Sequence, residues 1–332
     1  METNWNQVLG HAQQKAELRT LLRAGHLPHA LLFSGPAGVG KRKIAHVLAA
    51  ALLCGEGEAP CNHCTSCRYM RLGDSHPDFY ELRPEKRGKS AAMIRIEQVR
   101  ELQTEASRAP VLAQGRVLII DDAERMNEMA ANSLLKTLEE PPGARTFILI
   151  TSARSALLDT IISRCMPLAF GSLSTEDVAH ILQEQGTDPT AAQELAMLSD
   201  GSAARAIALQ DEDGLALRDA ALHFLQERRR WDLSTIWQRA AVYDKEAREV
   251  VQARVSALNT LLRDLLVLQT DGGSTLLYHQ DRREALLQLL PAYPAALLFP
   301  LLGLVRELQR RLQTNASLRL QLESFLLRAC AL

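Results

Sequence analysis

Gly35-Pro36-Ala37-Gly38-Val39-Gly40-Lys41 has the form G-x-x-x-x-G-K. Such a loop curls backbone N–H groups round phosphate oxygens, adds the partial positive charge of a helix N-terminus, and brings a Lys ammonium to the terminal phosphates. The ligand would be a nucleoside di- or triphosphate. The match carries weight only where a strand precedes it and a helix follows. Residues 29–33 read as a short apolar strand and residues 41–53 as a helix, so both conditions hold. The plainer alternative is a glycine-rich turn before an ordinary helix.

The next position breaks the pattern. The motif places Ser or Thr there to hold Mg²⁺ with a hydroxyl, and this chain has Arg42. A guanidinium has no lone pair for a metal and sets a cation where the metal would be. Mg²⁺-assisted hydrolysis is therefore in doubt even if phosphate binding survives. Further on, Val117-Leu118-Ile119-Ile120 runs into Asp121 and Asp122, a strand ending in carboxylates beside the expected metal position. Hydrolysing enzymes usually carry Glu where Asp122 stands, and the shorter side chain withdraws the carboxylate by one methylene. Glu124 is a substitute in principle, though it reads more simply as a solvated helix-start residue. A pair of N-cap residues would explain Asp121 and Asp122 without any nucleotide.

Cys54, Cys61, Cys64 and Cys67 fall within fourteen residues, with two consecutive C-x2-C steps. Four thiolates on a short loop suit tetrahedral Zn²⁺, and a closed four-cysteine shell is structural rather than catalytic. His63 and His76 are nearby but are not needed to close it. Unliganded core cysteines are the alternative.

Several elements must position these groups. Helical spacing is expected at residues 8–24, 41–53, 96–107, 128–138 and 155–163, and strands at 29–33, 79–83, 116–120 and 146–151. Strands separated by helices imply a parallel sheet with right-handed crossovers, and their unbroken apolar character implies cover on both faces. Pro141 and Pro142 stop the fourth helix. Beyond residue 168 strand signals vanish. Residues 174–185, 191–199 and 203–210 suggest a small three-helix unit, and a Leu-, Ala- and Arg-rich all-helical region follows from 215 to 332.

Of 332 residues, 47% are apolar and 23% charged, which is ordinary for a globular protein of two or three domains. The net charge of −1 provides no global basic field for nucleic acid, so any DNA contact needs a local patch or a partner. The first residues show no basic stretch followed by an apolar core. The most apolar run, 292–305, is short and interrupted by Pro294 and Pro300. A cytoplasmic protein with no membrane contact is expected.

The segments LPHALLFSGPAGVGKRKIA, the cysteine cluster, LIIDDAERMNEMAANSLLKTLEEPP and ILITSARSALLDTIISRC together resemble the clamp-loader ATPase-type subunits of bacterial DNA polymerase III. These form the gamma/tau and delta-prime group of the AAA+ superfamily. The resemblance runs from about Val8 to Leu209. It implies an AAA+ nucleotide-binding-type domain at 1–170 with a zinc module at 54–67, a helical lid at 171–211 and an all-α collar at 212–332.

By the same resemblance, Arg164 of Ser163-Arg164-Cys165 is an arginine finger for the nucleotide of a neighbouring subunit, and Thr151 senses the terminal phosphate. A guanidinium suits charge developing on a transferring phosphoryl group; without the family, Arg164 would read as a surface arginine. The family's later sensing arginine sits in G-S-x-R, but here Gly201-Ser202-Ala203-Ala204-Arg205 puts Ala204 at that position. One residue is ~100° of helix, enough to turn Arg205 away. Arg42, Asp122 and Ala204 together favour a delta-prime-like subunit that lends Arg164 and hydrolyses little itself. The implied partners are gamma/tau-type and delta-type subunits, and indirectly the sliding clamp and primer–template DNA. The competing readings are an ATP-hydrolysing gamma/tau-type subunit and a stand-alone zinc-dependent nucleic-acid-binding protein.

Overall fold

The computed structural model describes residues 4–55, 60–72, 76–86, 92–210, 212–272, 274, 277–312, 314 and 316–332. The chain divides into two compact units, one ending at Ala204 and the other running from Arg205 to Leu332, with Met197–Asp200 belonging to the second.

The first unit is built on five parallel strands: β1 (Ala30–Ser34), β2 (Phe79–Leu82), β3 (Arg116–Ile120), β4 (Arg145–Thr151) and β5 (Met166–Ala169), in the order β2-β3-β4-β1-β5. Alternate residues feed two cores. Leu31, Phe33, Val117, Ile119, Ile148 and Ile150 pack with α2 (Lys41–Leu53) on one face. Ala30, Leu32, Leu118, Ile120, Phe147 and Leu149 pack with α4 (Ile96–Ser107) and α5 (Glu128–Glu139) on the other. Both faces are covered, so the strands must be apolar throughout rather than alternating.

Four of the strands were legible as apolar runs, but β5 was not. It offers the core one buried residue, Leu168, and a partly buried Met166, and it carries Pro167, which an edge strand tolerates because one row of its N–H groups has no ladder partner. The first helix, α1 (Ala12–Ala24), begins later than the expected residue 8, because Gly10 (φ 69°) and His11 (φ 53°) both take the left-handed conformation. Of the expected helix at 155–163, only α6 (Asp159–Ile162) is α-helical, after a single tight turn at Arg154–Ala156. The cysteine segment contributes a short helix, α3 (Thr65–Arg71). The expected three-helix stretch appears as α7 (Thr175–Glu184), α8 (Pro189–Leu198) and α9 (Ala203–Gln210).

The second unit is mainly helical: α10 (Glu212–Glu227), α11 (Leu233–Tyr243), α12 (Arg248–Thr270), α13 (Arg283–Leu289), α14 (Ala295–Arg311) and α15 (Leu318–Ala331). Its leucines largely form one core around Leu261, Leu265, Leu298 and Val305. Among the described residues no single helix is long and apolar enough to cross a membrane.

Candidate functional site

The glycine-rich loop joins β1 to α2, so its backbone amides sit at the carboxyl edge of the sheet. Gly35, Gly38 and Gly40 take φ values of 151°, 76° and 101°, a run of backbone that side chains resist. A Cβ on Gly38 would come within 2.3 Å of Ser202 Oγ and 2.8 Å of the Ala204 Cβ, so the start of α9 presses on the loop. Ala204 N donates to Gly38 O at 3.2 Å and Ser202 Oγ to Ala37 O at 2.9 Å. Arg205, one residue on, is directed elsewhere and donates to Thr260 Oγ1 of α12. Lys41 lies folded into the loop, its Nζ donating to Gly35 O (2.7 Å) and Pro36 O (2.6 Å). Burial lowers its pKa, while Glu124, Asp121 and Asp122 pull it back up.

Arg42 is held firmly. Its Nε and Nη2 meet the two oxygens of Glu81 on β2 at 2.6 and 2.9 Å, and Nε also lies 3.5 Å from Asp121 Oδ2. His46 Nε2 sits 3.2 Å from Glu81 Oε1, and Arg83 pairs with Oε2. Burial opposes the Glu81 carboxylate, but bonds from His46 and Arg42 outweigh it and hold its pKa below the usual carboxylate range. Asp121 goes the other way: burial, Asp122 and Glu81 push it up to about 6 against the pull of Arg42. A Mg²⁺ ion does not fit these residues. The hydroxyl ligand is replaced by a guanidinium, and that guanidinium already stands against Asp121.

Asp122 has φ 49° and ψ 50° and stands at the N-cap position of the turn that follows, but its side chain makes no capping bond there; only its carbonyl accepts from Arg125 N, at 2.8 Å. Burial and Glu124 raise its pKa, and Arg125 Nε lies 3.5 Å away. Glu124 is not a solvated helix-start residue: it accepts from Ser152 N (3.1 Å) and Ser152 Oγ, tying the turn after β3 to the end of β4. Thr151 is fully buried; its Oγ1 accepts from Ala153 N and its carbonyl from Gly35 N. It braces the loop directly.

Arg164 follows α6 and is part-exposed. Its Nε donates to Glu139 Oε1 at 2.8 Å, its Nη2 bonds the same oxygen, and its Nη1 donates to Thr160 O at 2.7 Å. Cys165 is buried and its thiol is pushed up to about 11 by burial, which suits a packing role.

The four clustered cysteines converge. Their sulfurs all lie within 4.8 Å of one another, with Cys54–Cys64 and Cys61–Cys67 both at 3.9 Å. Four sulfurs at the usual Zn–S distance of about 2.3 Å stand about 3.8 Å apart at the corners of a tetrahedron, so the set fits a metal ion. Cys64 N donates to Cys61 Sγ and Cys67 N to Cys64 Sγ. Burial works against a Cys61 thiolate, but N–H bonds from Cys64 and His63 outweigh it and bring the thiol down to about 6. His63 turns to Cys61 O and His76 to Asp78 N, so neither belongs to the set.

Sequence reasoning missed Glu81, His46 and Glu139. Glu81 left one signal, a charge in the middle of a four-residue buried strand, which only a cationic partner makes tolerable. Glu139 left none, since its partner is twenty-five residues away in an unrelated turn.

A five-stranded parallel sheet in this order, with a phosphate-type loop after β1 and carboxylates after β3, defines the AAA+ class of nucleotide-binding fold. Within that class, residues 10–174 match the family described as DNA polymerase III, delta subunit. The chain is 33% identical over 267 residues to the DNA polymerase III subunit delta′ of Bacillus subtilis, a match covering 79% of this chain and 78% of that protein. It is 39% identical over 204 residues to subunit delta′ of Pseudomonas aeruginosa, covering 60% of this chain and 56% of the relative's length. Subunit tau of Escherichia coli is 35% identical over 213 residues, 62% of this chain and 32% of that protein. A solved gamma subunit-related protein of Thermotoga maritima aligns over 95% of this chain and 98% of its own, at 18% identity and a TM-score of 0.41. The chain belongs to the DNA polymerase III delta-prime family.

Proposed function

We propose that this chain is a delta-prime-like clamp-loader subunit that assembles with gamma/tau-type and delta-type subunits and helps load the sliding clamp onto primer–template DNA in the cytoplasm. It hydrolyses ATP weakly or not at all and lends Arg164 to the nucleotide of a neighbour. The observation that carries this is Arg42, whose guanidinium lies 3.5 Å from Asp121 where a hydrolysing loop needs a metal ligand. Asp122 and Ala204 point the same way. Nucleotide contact, where it occurs, would use Gly35, Gly38, Gly40, Lys41, Asp121, Asp122 and Thr151.

Cys54, Cys61, Cys64 and Cys67 would hold one structural Zn²⁺, which cross-links the end of α2 to α3 and takes no part in turnover. The proposed division of labour is a nucleotide-type domain at 1–170, a lid at 171–211 and an oligomerising collar at 212–332.

The test is Arg164→Ala in a reconstituted complex. Assembly stays intact and ATP turnover at the site that Arg164 serves falls by roughly 10³-fold or more, as for other arginine fingers, so turnover by the whole complex drops. Normal turnover by the assembled variant complex would sink the assignment. Steady-state turnover by the isolated chain that requires Asp121 would favour the gamma/tau-type reading instead.

A further inference from the structure

The misfit between this loop and Mg²⁺ has a positive side. We propose that the Arg42 guanidinium takes the place of the divalent ion, so that the loop binds the phosphates of a nucleoside di- or triphosphate without metal. This rests on reading the Gly35–Lys41 loop as a phosphate site and adds how that site is charged.

Two observations support a preset cation. First, one edge of the guanidinium is fixed: Nε and Nη2 are engaged side by side by Glu81, whose side chain is only 3% exposed. Glu81 is in turn held by His46 and Arg83. The cation therefore cannot swing away, and little ordering entropy remains to be lost when an anion arrives. Second, the Arg42 side chain is still 42% exposed, and its Nη1 makes no hydrogen bond within the protein among the described residues. A planar donor group anchored on one edge and open on another is the arrangement that recognises phosphate oxygens.

The electrostatics agree. Asp121 and Asp122 would repel a bare phosphate, but Arg42 lies 3.5 Å from the first and Arg125 3.5 Å from the second. Lys41 stands beside them, its ammonium turned onto two loop carbonyls that a phosphate would compete with. A divalent ion entering the same place would meet a fixed positive charge 3.5 Å from Asp121, the carboxylate it would need as a ligand. An anion would meet Lys41, Arg42 and the amides at the start of α2, a thirteen-residue helix.

The experiment is titration of the isolated full-length chain with ADP, ATP and pyrophosphate, each in excess Mg²⁺ and again in EDTA. ADP and ATP should bind with the same affinity in both buffers, to within about twofold. Arg42→Thr should weaken metal-free ADP binding about tenfold or more, and added Mg²⁺ should recover it. Glu81→Gln, which loosens the guanidinium without removing it, should weaken metal-free binding and leave it indifferent to Mg²⁺. The proposal is overturned if Mg²⁺ tightens wild-type binding about tenfold, if Arg42→Thr binds as the wild type does in EDTA, or if the wild type binds neither nucleotide. Pyrophosphate binding as tight as ADP would overturn the nucleoside assignment. None of these outcomes touches the clamp-loader reading, which is read separately from assembly and Arg164→Ala turnover.

Discussion

Arg42 and Glu81 meet edge to edge, with Nε–Oε1 at 2.6 Å and Nη2–Oε2 at 2.9 Å, and both act on the charge of Asp121, in opposite directions. Their pairing joins α2 to β2 across the place where nucleotide-hydrolysing relatives of the fold put a metal. The pair neutralises a carboxylate that burial would otherwise forbid, and its cation offsets Asp121 as well.

The cluster predicts a pH dependence with two opposite signs. Glu81 has a depressed folded pKa, so its contribution is complete above its unfolded value, near 4.3, and is lost as pH falls through the folded one. Asp121 has a folded value of about 6, so the contribution of its protonated form is present below about 4 and is lost as pH rises through 6. Asp121→Asn should therefore be more stable than the wild type at pH 8, by on the order of 2 kcal/mol, and no more stable at pH 4. Urea unfolding at the two pH values reads the difference. Equal stabilisation at both would mean that Asp121 is not titrating in the folded protein.

The cysteine set predicts one zinc per chain, removable by a chelator. Because Cys54 closes α2 and Cys67 lies in α3, loss of the ion should loosen that corner without unfolding the sheet. Cys64→Ser should abolish the bound zinc and lower the melting temperature while α-helix content stays near the wild-type value. Full zinc content in that variant would overturn the assignment.

How far these groups could be read from the chain alone depended on the range of the interactions. The phosphate loop, the carboxylates after β3 and the cysteine set are local in sequence, and local spacing is what a motif records. Arg42 could be flagged as wrong for Mg²⁺, yet its partner Glu81 lies thirty-nine residues away and pairs only because β2 is placed beside β3. Glu124 reads in the sequence as a solvated helix-start residue because its bond to Ser152 depends on β3 and β4 being neighbours. The fifth strand failed for another reason: an edge position relaxes the demand for apolar residues and admits Pro167, so the composition that betrays a buried strand is absent.

Asp78 supplies a stability test remote from the cleft. It is fully buried, and its carboxylate accepts from Val111 N and Leu112 N at 2.7 Å and from Ala113 N at 2.8 Å. Burial opposes the charge, but the three amides more than offset it and hold the pKa below the usual range. Asp78→Ala leaves three donors stranded at the entry to β3 and should cost about 3–5 kcal/mol in chemical denaturation. Asp78→Asn, which keeps two lone pairs but adds unwanted donors, should fall between. A cost under about 1 kcal/mol for the alanine variant would mean that water replaces the carboxylate.

Asp122 explains why the shorter acid stands at this position. With φ 49° and ψ 50° it occupies the left-handed region, which Asp enters more readily than Glu. Restoring Glu is therefore not a simple repair. Asp122→Glu should lower stability by on the order of 0.5–1 kcal/mol and leave ATP turnover by the isolated chain unchanged, because Arg42 still excludes the metal. Arg42→Thr in the same background removes that block, and turnover should then appear only with Mg²⁺. Turnover in the Asp122→Glu single variant would show that the missing methylene, and not the guanidinium 3.5 Å from Asp121, silences the site.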